Sequence, residues 1–495
     1  MALGFVSNFT FLCKPKLMAK LSTLKNPDWL VVLLFLVVWM SRLPFLFEGY
    51  GSEEDSWGTP LAIWQTLKTG IYEPSRLPGH PIQEIFYLLT STLPPFWWNC
   101  FSALACAFSS IALFYIFLNL ELQRPFLSAL SLSFVPVIYI SSTYTIDYCF
   151  TLCFLLWSFF YFIENKYWIS GLFLGLAIGC RITTGIFILP FGLWLLMCNR
   201  KEFTSFNLLR FGMMSAMVGT ISYLPLFYTY GLQFFQYYDQ FPYPSIEKIF
   251  YKASFGVWGT IGLIGLVSAC IFQIIRFGFA GIKAYSSRSK CLIGLALLIV
   301  VLFTFSYLRL PQKSGYWVPV IPFIFLAFAA GLEAKSYQYL MGCFLISSFF
   351  CSIGLTDSWR GSTYSKWSKI IKIKDQELFL DPFTGPIFSD LSKRENKEYF
   401  CKKVSEELSE EKHSNSILIC GWWYNELMVN AHQKKPDLIP HLKFYSNQKE
   451  LETLVSKKKK IYFLPEQDKY NDLYSGITAT SKYASPWMKE AYHER

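Results

Sequence analysis

The chain has 495 residues, of which 53% are hydrophobic, 19% aromatic and only 16% charged, and its mean hydropathy is +0.32. So much apolar surface excludes an ordinary soluble fold and predicts a polytopic α-helical membrane protein. The formal net charge of +11 does not point to nucleic acid, because the lysines and arginines cluster beside apolar runs, where the positive-inside bias places them in a membrane protein.

In chain order, apolar runs long enough to span fall at about 29–47, 96–119, 125–142, 146–163, 167–180, 182–198, 208–230, 253–275, 290–308, 316–332 and 337–355, roughly eleven in all. The first, Trp29 to Phe47, is followed by no small-residue cleavage site and reads as an uncleaved anchor. Lys14, Lys16, Lys20 and Lys25 place the amino terminus in the cytoplasm, and Arg200, Lys201, Arg210, Arg276, Lys283, Arg288 and Lys290 mark two further cytoplasmic loops. The short runs flanking Arg181 then form a hairpin, since only an even number of crossings between Lys166 and Arg200 satisfies both. This topology gathers the acidic first loop, the turn at Asp147, the loop containing Asp239, the Arg309 to Gly315 loop and the carboxyl-terminal tail on one extracytoplasmic side.

The segment from Glu48 to Glu84 carries a density of ionisable groups that is rare beside a bilayer. A carboxylate among Glu53, Glu54 and Asp55 can deprotonate a hydroxyl or bind a divalent metal. The blander alternatives are a wet loop or compensation of a helix dipole. Trp57, Leu61, Ile63, Trp64 and Leu67 follow an approximate helical stripe, which predicts a helix lying flat in the membrane interface. In SRLPGHP, Ser75 to Pro81, Arg76 suits bidentate phosphate contact and His80 suits an acid, a base or a donor; a structural cap and a structural imidazole are the competing roles. Glu84 opens the next apolar run, where it is expected to snorkel outward.

Asp147, in TYTIDYCF, and Arg181, in IGCRITTG, are membrane-edge charges and so functional candidates, although Asp147 also suits a helix cap and Arg181 a headgroup anchor. In RLPQKSGYWVPVIP, Arg309 to Pro322, Arg309 and Lys313 can hold an anionic phosphate ester, with Tyr316 and Trp317 near headgroup level. The thirteen cysteines show no metal-ligand spacing, and most lie in apolar runs, where cysteine behaves as a small buried hydrophobe. Cys401 and Cys420 would pair only in an oxidising compartment.

Near Thr356 the composition turns polar, dividing the chain into a membrane domain, 1–355, and an extracytoplasmic domain, 356–495. The latter reads as a small α/β layer: a helix over Ser392 to Glu411, a strand over Ile417 to Trp422, a helix, a strand over Leu442 to Tyr445, a helix over Gln448 to Ser456 and a strand over Ile461 to Leu464. CGWWYNE follows the first strand where a phosphate-cradling glycine loop would stand, so nucleotide binding is not indicated. The Lys457 to Lys460 run is a solvated helix end or a membrane-surface contact.

The acidic motif after the first span, the amphipathic helix leading to a Pro/Gly/His turn, the aspartate opening a later span, the arginine before RITTGIFILP and the late basic-Tyr-Pro loop together resemble the GT-C membrane glycosyltransferases. The likeness covers roughly residues 29–355 and is nearest to the bacterial branch of lipid A aminoarabinose transferases and protein mannosyltransferases. It implies a GT-C-like fold in the bacterial inner membrane, and transfer of a hexose or pentose, with inversion, from a polyprenyl-phosphate donor to a glycan, lipid or protein acceptor. It also implies that Asp55 or Glu54 is the base, that both would ligate a divalent metal in a metal-dependent member, and that Arg309 and Lys313 meet the donor phosphate. Tyr316, Asp147, Arg76 and His80 join them in binding substrate; GHP stands where the family has paired prolines. A transporter or flippase for lipid-linked sugars would distribute its charges across both faces, unlike the one-sided clustering here, and a non-catalytic scaffold would tolerate neutral replacement of the acids.

Overall fold

The computed structural model describes residues 27–198, 205–232, 243–277, 286–355, 366–373, 376–411, 414–444, 450, 453–454 and 456–464. The amino-terminal lysines, Arg200, Lys201, Lys283, the loop of Asp239 and part of the expected Gln448 to Ser456 helix lie outside them. The chain is a helical membrane protein: among the described residues five stretches, Asp28–Phe45, Pro95–Asn119, Ser205–Tyr230, Phe255–Arg276 and Ser287–Arg309, are long and apolar enough to cross a bilayer, and shorter apolar helices accompany them.

The helices run α1 (Pro27–Met40), α2 (Glu54–Thr69), α3 (Pro81–Leu89), α4 (Pro95–Asn119), α5 (Pro125–Phe134), α6 (Pro136–Ser141), α7 (Tyr148–Ile163) and α8 (Tyr167–Cys180). They continue as α9 (Ile188–Cys198), α10 (Ser205–Tyr230), α11 (Ile246–Ala253), α12 (Phe255–Phe277), α13 (Ser287–Arg309), α14 (Ile321–Gly331) and α15 (Ala334–Ser347). Proline opens α3, α4, α5 and α6, a position where its missing N–H costs nothing and its fixed φ suits the helix. Pro136 also divides the run 125–142, expected as one span: Val135 sits at ψ 128, out of the helical region, as a residue before proline tends to do. The last apolar run, 337–355, is helical only to Ser347 and ends in a strand.

Close approach of α8 and α10 fixes one end of the bundle. Gly171, Gly175 and Gly179 repeat every fourth residue along α8, and a Cβ on each would fall 2.6 Å from the Phe211 carbonyl oxygen, 2.5 Å from Val218 Cβ and 2.7 Å from Ser222 Oγ. Such small-residue stripes let helices meet backbone to backbone, where dispersion and not water drives association. Aromatic rings fill the wider gaps, with Phe159, Phe191, Phe187 and Phe323 in contact at centroid separations of 5.0 to 6.0 Å.

All the described strands follow α15. β1 (Ser352–Leu355), β2 (Lys369–Ile373) and β3 (Gln376–Asp381) form an antiparallel sheet in the order β1-β3-β2, a unit absent from the sequence reading. After α16 (Pro386–Leu408) comes a parallel sheet in which β4 (Ser416–Ile419) lies between β5 (Leu442–Lys443) and β6 (Lys460–Phe463). Helix α17 (Tyr424–Lys434) supplies the crossover that a parallel pair requires. Cys401 and Cys420 are buried and unbridged.

This carboxyl-terminal part covers α2. Trp57, Leu61 and Ile63 are buried in one cluster with Phe400, Trp423, Leu427 and Met428, and Trp64 meets His432 edge-on at 3.8 Å. The stripe expected to lie on lipid is therefore the seat of α17; amphipathic periodicity announces an apolar partner without saying which.

A buried ion pair completes the attachment. Asp390 of α16 accepts from Arg394 Nε at 2.9 Å, from Ser52 Oγ at 2.6 Å and from the Tyr144 hydroxyl. Arg394 Nη1 donates to the carbonyls of Phe45 at 2.8 Å and Thr143 at 3.2 Å. Asp390→Ala leaves a buried guanidinium without its carboxylate and is expected to cost roughly 3–5 kcal/mol, read as a lowered thermal midpoint of the detergent-purified protein. Replacing both residues with methionine should recover most of that loss, whereas an unchanged midpoint in Asp390→Ala would show that the pair holds nothing.

Candidate functional site

Asp147 immediately precedes α7 and is 1% exposed. A carboxylate in such a place must be paired. Arg76 Nη2, from the SRLPGHP turn, donates to its Oδ1 at 2.7 Å, and Arg181 Nη1, at the end of α8, to its Oδ2 at 2.8 Å. Burial pushes the Asp147 carboxyl up, but the charge His80 acquires at the low pH where this carboxyl titrates, with the Arg181 and Arg76 guanidinium groups, outweighs it and holds the pKa at about 2.

The remaining hydrogen bonds of Arg76 set its neighbours. Its Nη1 pairs with Asp55 and its Nε donates to His80 Nε2 at 2.8 Å. A ring nitrogen that accepts from a guanidinium carries no proton, so the His80 proton sits on Nδ1, from which it is donated to the Cys180 carbonyl at 2.6 Å. Burial, reinforced by Arg76 and Arg181 and opposed by Asp147, lowers the His80 pKa below its ordinary value. His80 is thus a neutral imidazole that orients Arg76, with both nitrogens occupied, and not the acid or base that an isolated histidine suggests.

Glu84 is buried and does not snorkel. It accepts from the backbone N–H groups of Ser75 at 2.8 Å and His80 at 3.1 Å, and from the hydroxyls of Tyr72 and Ser75. These four bonds pin the turn that carries Arg76.

The first-loop acids open α2, with Glu53 at the N-cap and Glu54 and Asp55 in the first turn, where the helix dipole favours negative charge. All three converge on Lys313. Its Nζ lies 3.2 Å from Glu53 Oε2 and 3.6 Å from Glu54 Oε1, and it pairs directly with Asp55. Burial pushes the Lys313 ammonium down, but Glu53 and Glu54 prevail and raise its pKa above the ordinary value. The loop reaches this position because residue 315 is glycine: a Cβ there would lie 2.3 Å from the Tyr148 ring. Tyr316 and Tyr148, edge-on to each other, both lie against Arg181, whose guanidinium carbon is 4.5 Å and 4.9 Å from their ring centroids.

Asp55, Glu54, Arg76, His80, Asp147, Lys313 and Tyr316 therefore come together. Arg309 stands exposed in the last turn of α13, and of the two cations expected in this loop Lys313 is the one drawn onto the acids. Arg181, a candidate as a membrane-edge charge, joins them: the close packing of α8 along its glycine stripe delivers the residue after Cys180 to this spot. Beside the cluster, the hydroxyls of Tyr148 and Ser56 are buried without a hydrogen-bond partner. Glu54 and Asp55 suit a divalent metal poorly here, because the Lys313 ammonium occupies the place where their charges converge. Among the described residues no group of three or more His, Cys, Asp or Glu is arranged to hold a metal ion.

No family model matches this chain, and no curated protein matches it. The site predicts a pH dependence. Below about pH 6.5 the unfolded chain takes up a proton that the folded His80 refuses, so stability falls as pH drops, by up to about 1.4 kcal/mol per pH unit. Asp147 contributes with its own window: its depressed pKa adds stability that is present above about pH 4 and lost as pH falls towards 2. Thermal midpoints measured from pH 7 to pH 5 should fall more steeply for the native protein than for His80→Gln, whose amide can still accept and donate. Equal slopes would refute a neutral His80.

Proposed function

We propose that the chain is a membrane glycosyltransferase of the GT-C type, acting on the extracytoplasmic face of a membrane body with about eleven crossings and moving a sugar from a polyprenyl-phosphate donor to an acceptor hydroxyl. The observation that carries this reading is the convergence of the first-loop acids with Arg76, Lys313, Arg181 and the buried Asp147 in one partly exposed cluster at one end of the helices. A lipid-linked donor reaches such a place from within the bilayer, and its phosphate requires cations there.

In this mechanism the donor phosphate binds Arg76 and Lys313, the two partners of Asp55. Losing those cations raises the basicity of the Asp55 carboxylate. The acceptor oxygen attacks the anomeric carbon as its proton passes to Asp55, while the bond from that carbon to the phosphate oxygen breaks and its electron pair stays on the departing polyprenyl phosphate. Arg76 and Lys313 stabilise that developing charge. Attack opposite the leaving group inverts the anomeric centre. Asp147, His80 and Glu84 remain fixed and hold Arg76, Glu54 shares the environment of the base, and the Tyr148 and Ser56 hydroxyls are available to the sugar or acceptor.

Asp55→Asn is expected to lower transfer by roughly 10²–10⁴-fold, the usual worth of a general base, with expression intact, in membranes supplied with radiolabelled polyprenyl-phosphate sugar. Lys313→Met should chiefly raise the KM for the donor. Full activity in both Asp55→Asn and Glu54→Gln would overturn the assignment.

A further inference from the structure

The antiparallel sheet beside the last apolar helix has an edge whose composition no part of the candidate site uses. In β2 and the residues leading into it, Trp367, Ile370 and Ile371 are 70%, 53% and 46% exposed, and Lys366, Lys369 and Lys372 are exposed among them. The strand order β1-β3-β2 makes β2 an edge.

Register decides what kind of partner fits. Ile370 lies opposite Phe379 and Ile371 opposite Leu378, and neighbouring residues of a strand point to opposite faces. One face of β2 therefore presents Ile370 with Lys372, and the other presents Ile371 with Lys369. A folded protein docked on the sheet would cover one face, and a strand added to the edge would cover neither, so in both cases an isoleucine stays in water. A fluid surface wraps both faces. Lysines that alternate with such side chains send their stems along the apolar layer and their ammonium groups to phosphate.

Continuity with the membrane body points the same way. β1 begins at Ser352, just beyond the end of α15, where Ile346 and Phe350 are exposed. Phe349 packs on Phe388 at 6.3 Å, and exposed Phe383 meets Trp367 at 6.2 Å, so aromatic contacts accompany the chain from the helix end outward. The Tyr251 hydroxyl of α11 donates to the Ile353 carbonyl at 3.0 Å. That ties β1 to a second amphipathic element, with Ile246 and Phe250 exposed beside Glu247 and Lys248.

We infer that the Lys366–Ile373 edge is seated in the headgroup layer of an anionic lipid surface. The test uses the full chain in nanodiscs of phosphatidylcholine, with or without phosphatidylglycerol, and p-benzoylphenylalanine in place of Trp367 or Ile371. Irradiation should give lipid adducts enriched in phosphatidylglycerol, and reversing Lys366, Lys369 and Lys372 to Glu should cut that yield by roughly fivefold or more, the factor a single surface lysine contributes, with little effect in phosphatidylcholine alone. Adducts to a second copy of the chain or to another protein, or no adduct from either position, would overturn the inference. A measurement without any variant decides it separately: hydrogen exchange over Lys366–Ile373 should slow when phosphatidylglycerol is added, and identical exchange in both discs would count against it.

Discussion

The structure of the site depends on one buried carboxylate. Asp147 is held by Arg76 from the SRLPGHP turn and by Arg181 from the end of α8, so three separate pieces of chain must arrive together before its charge is compensated. A buried ion whose partner is missing destabilises by several kcal/mol, about 3–5 where this has been determined, so the bundle has little freedom to form with these pieces out of register. The glycine stripe of α8 supplies the register. By letting α10 approach to backbone contact it fixes where α8 ends, and the residue after that end is Arg181. Packing in the bundle and charge at its mouth are two consequences of one helix pair.

The same constraint extends into the carboxyl-terminal part. Ser52 and Tyr144, both bonded to Asp390, stand just before the first-loop acids and just before Asp147. Asn425 reaches the Glu54 carbonyl at 3.4 Å, and α17 covers the apolar side of α2. Helix α2 is thus clasped between the membrane helices and α17. An amphipathic helix resting on lipid would ride with the bilayer surface; one held on both sides keeps its amino end at a fixed distance from Lys313 and Arg76. Positioning to a fraction of an ångström is what proton transfer by a carboxylate demands.

Much of this was legible in the residues, and the failures have physical causes. Runs of apolar residues announced a helical membrane protein, and the rarity of charge beside lipid singled out Glu53 to Asp55, Asp147 and Arg181. The break at Pro136 was written in the chain, but a hydropathy window passes over a proline among apolar neighbours. The strand Ser352–Leu355 was absorbed into the last span for the same reason. The choice among the roles open to His80 was not legible because its protonation is set by Arg76 Nε and the Cys180 carbonyl, and the latter is a hundred residues away. Arg309 and Lys313 are four residues apart and chemically alike. What separates them is Gly315, which lets the loop lie against Tyr148 and so carries Lys313, and not Arg309, to the acids.

The charge balance of the cluster bears on which acid would serve as the base of the proposed reaction. Glu53, Glu54, Asp55 and Asp147 face Arg76, Arg181 and Lys313, so the negative groups outnumber the positive by one. A phosphate entering such a site can gain cations only by displacing a carboxylate from them. Asp147 is buried and doubly held, and its release would strand Arg181 among aromatic rings. Glu53 and Glu54 pair with Lys313, whereas Arg76 is engaged by Asp55 and Asp147. Asp55 bridges Arg76 and Lys313, so a phosphate that takes both cations strips this carboxylate of both of these ion pairs at once. Donor binding and activation of the base are then a single exchange of anions, and the proposed reaction acquires an order: an acceptor hydroxyl meets a basic Asp55 only after the donor is in place.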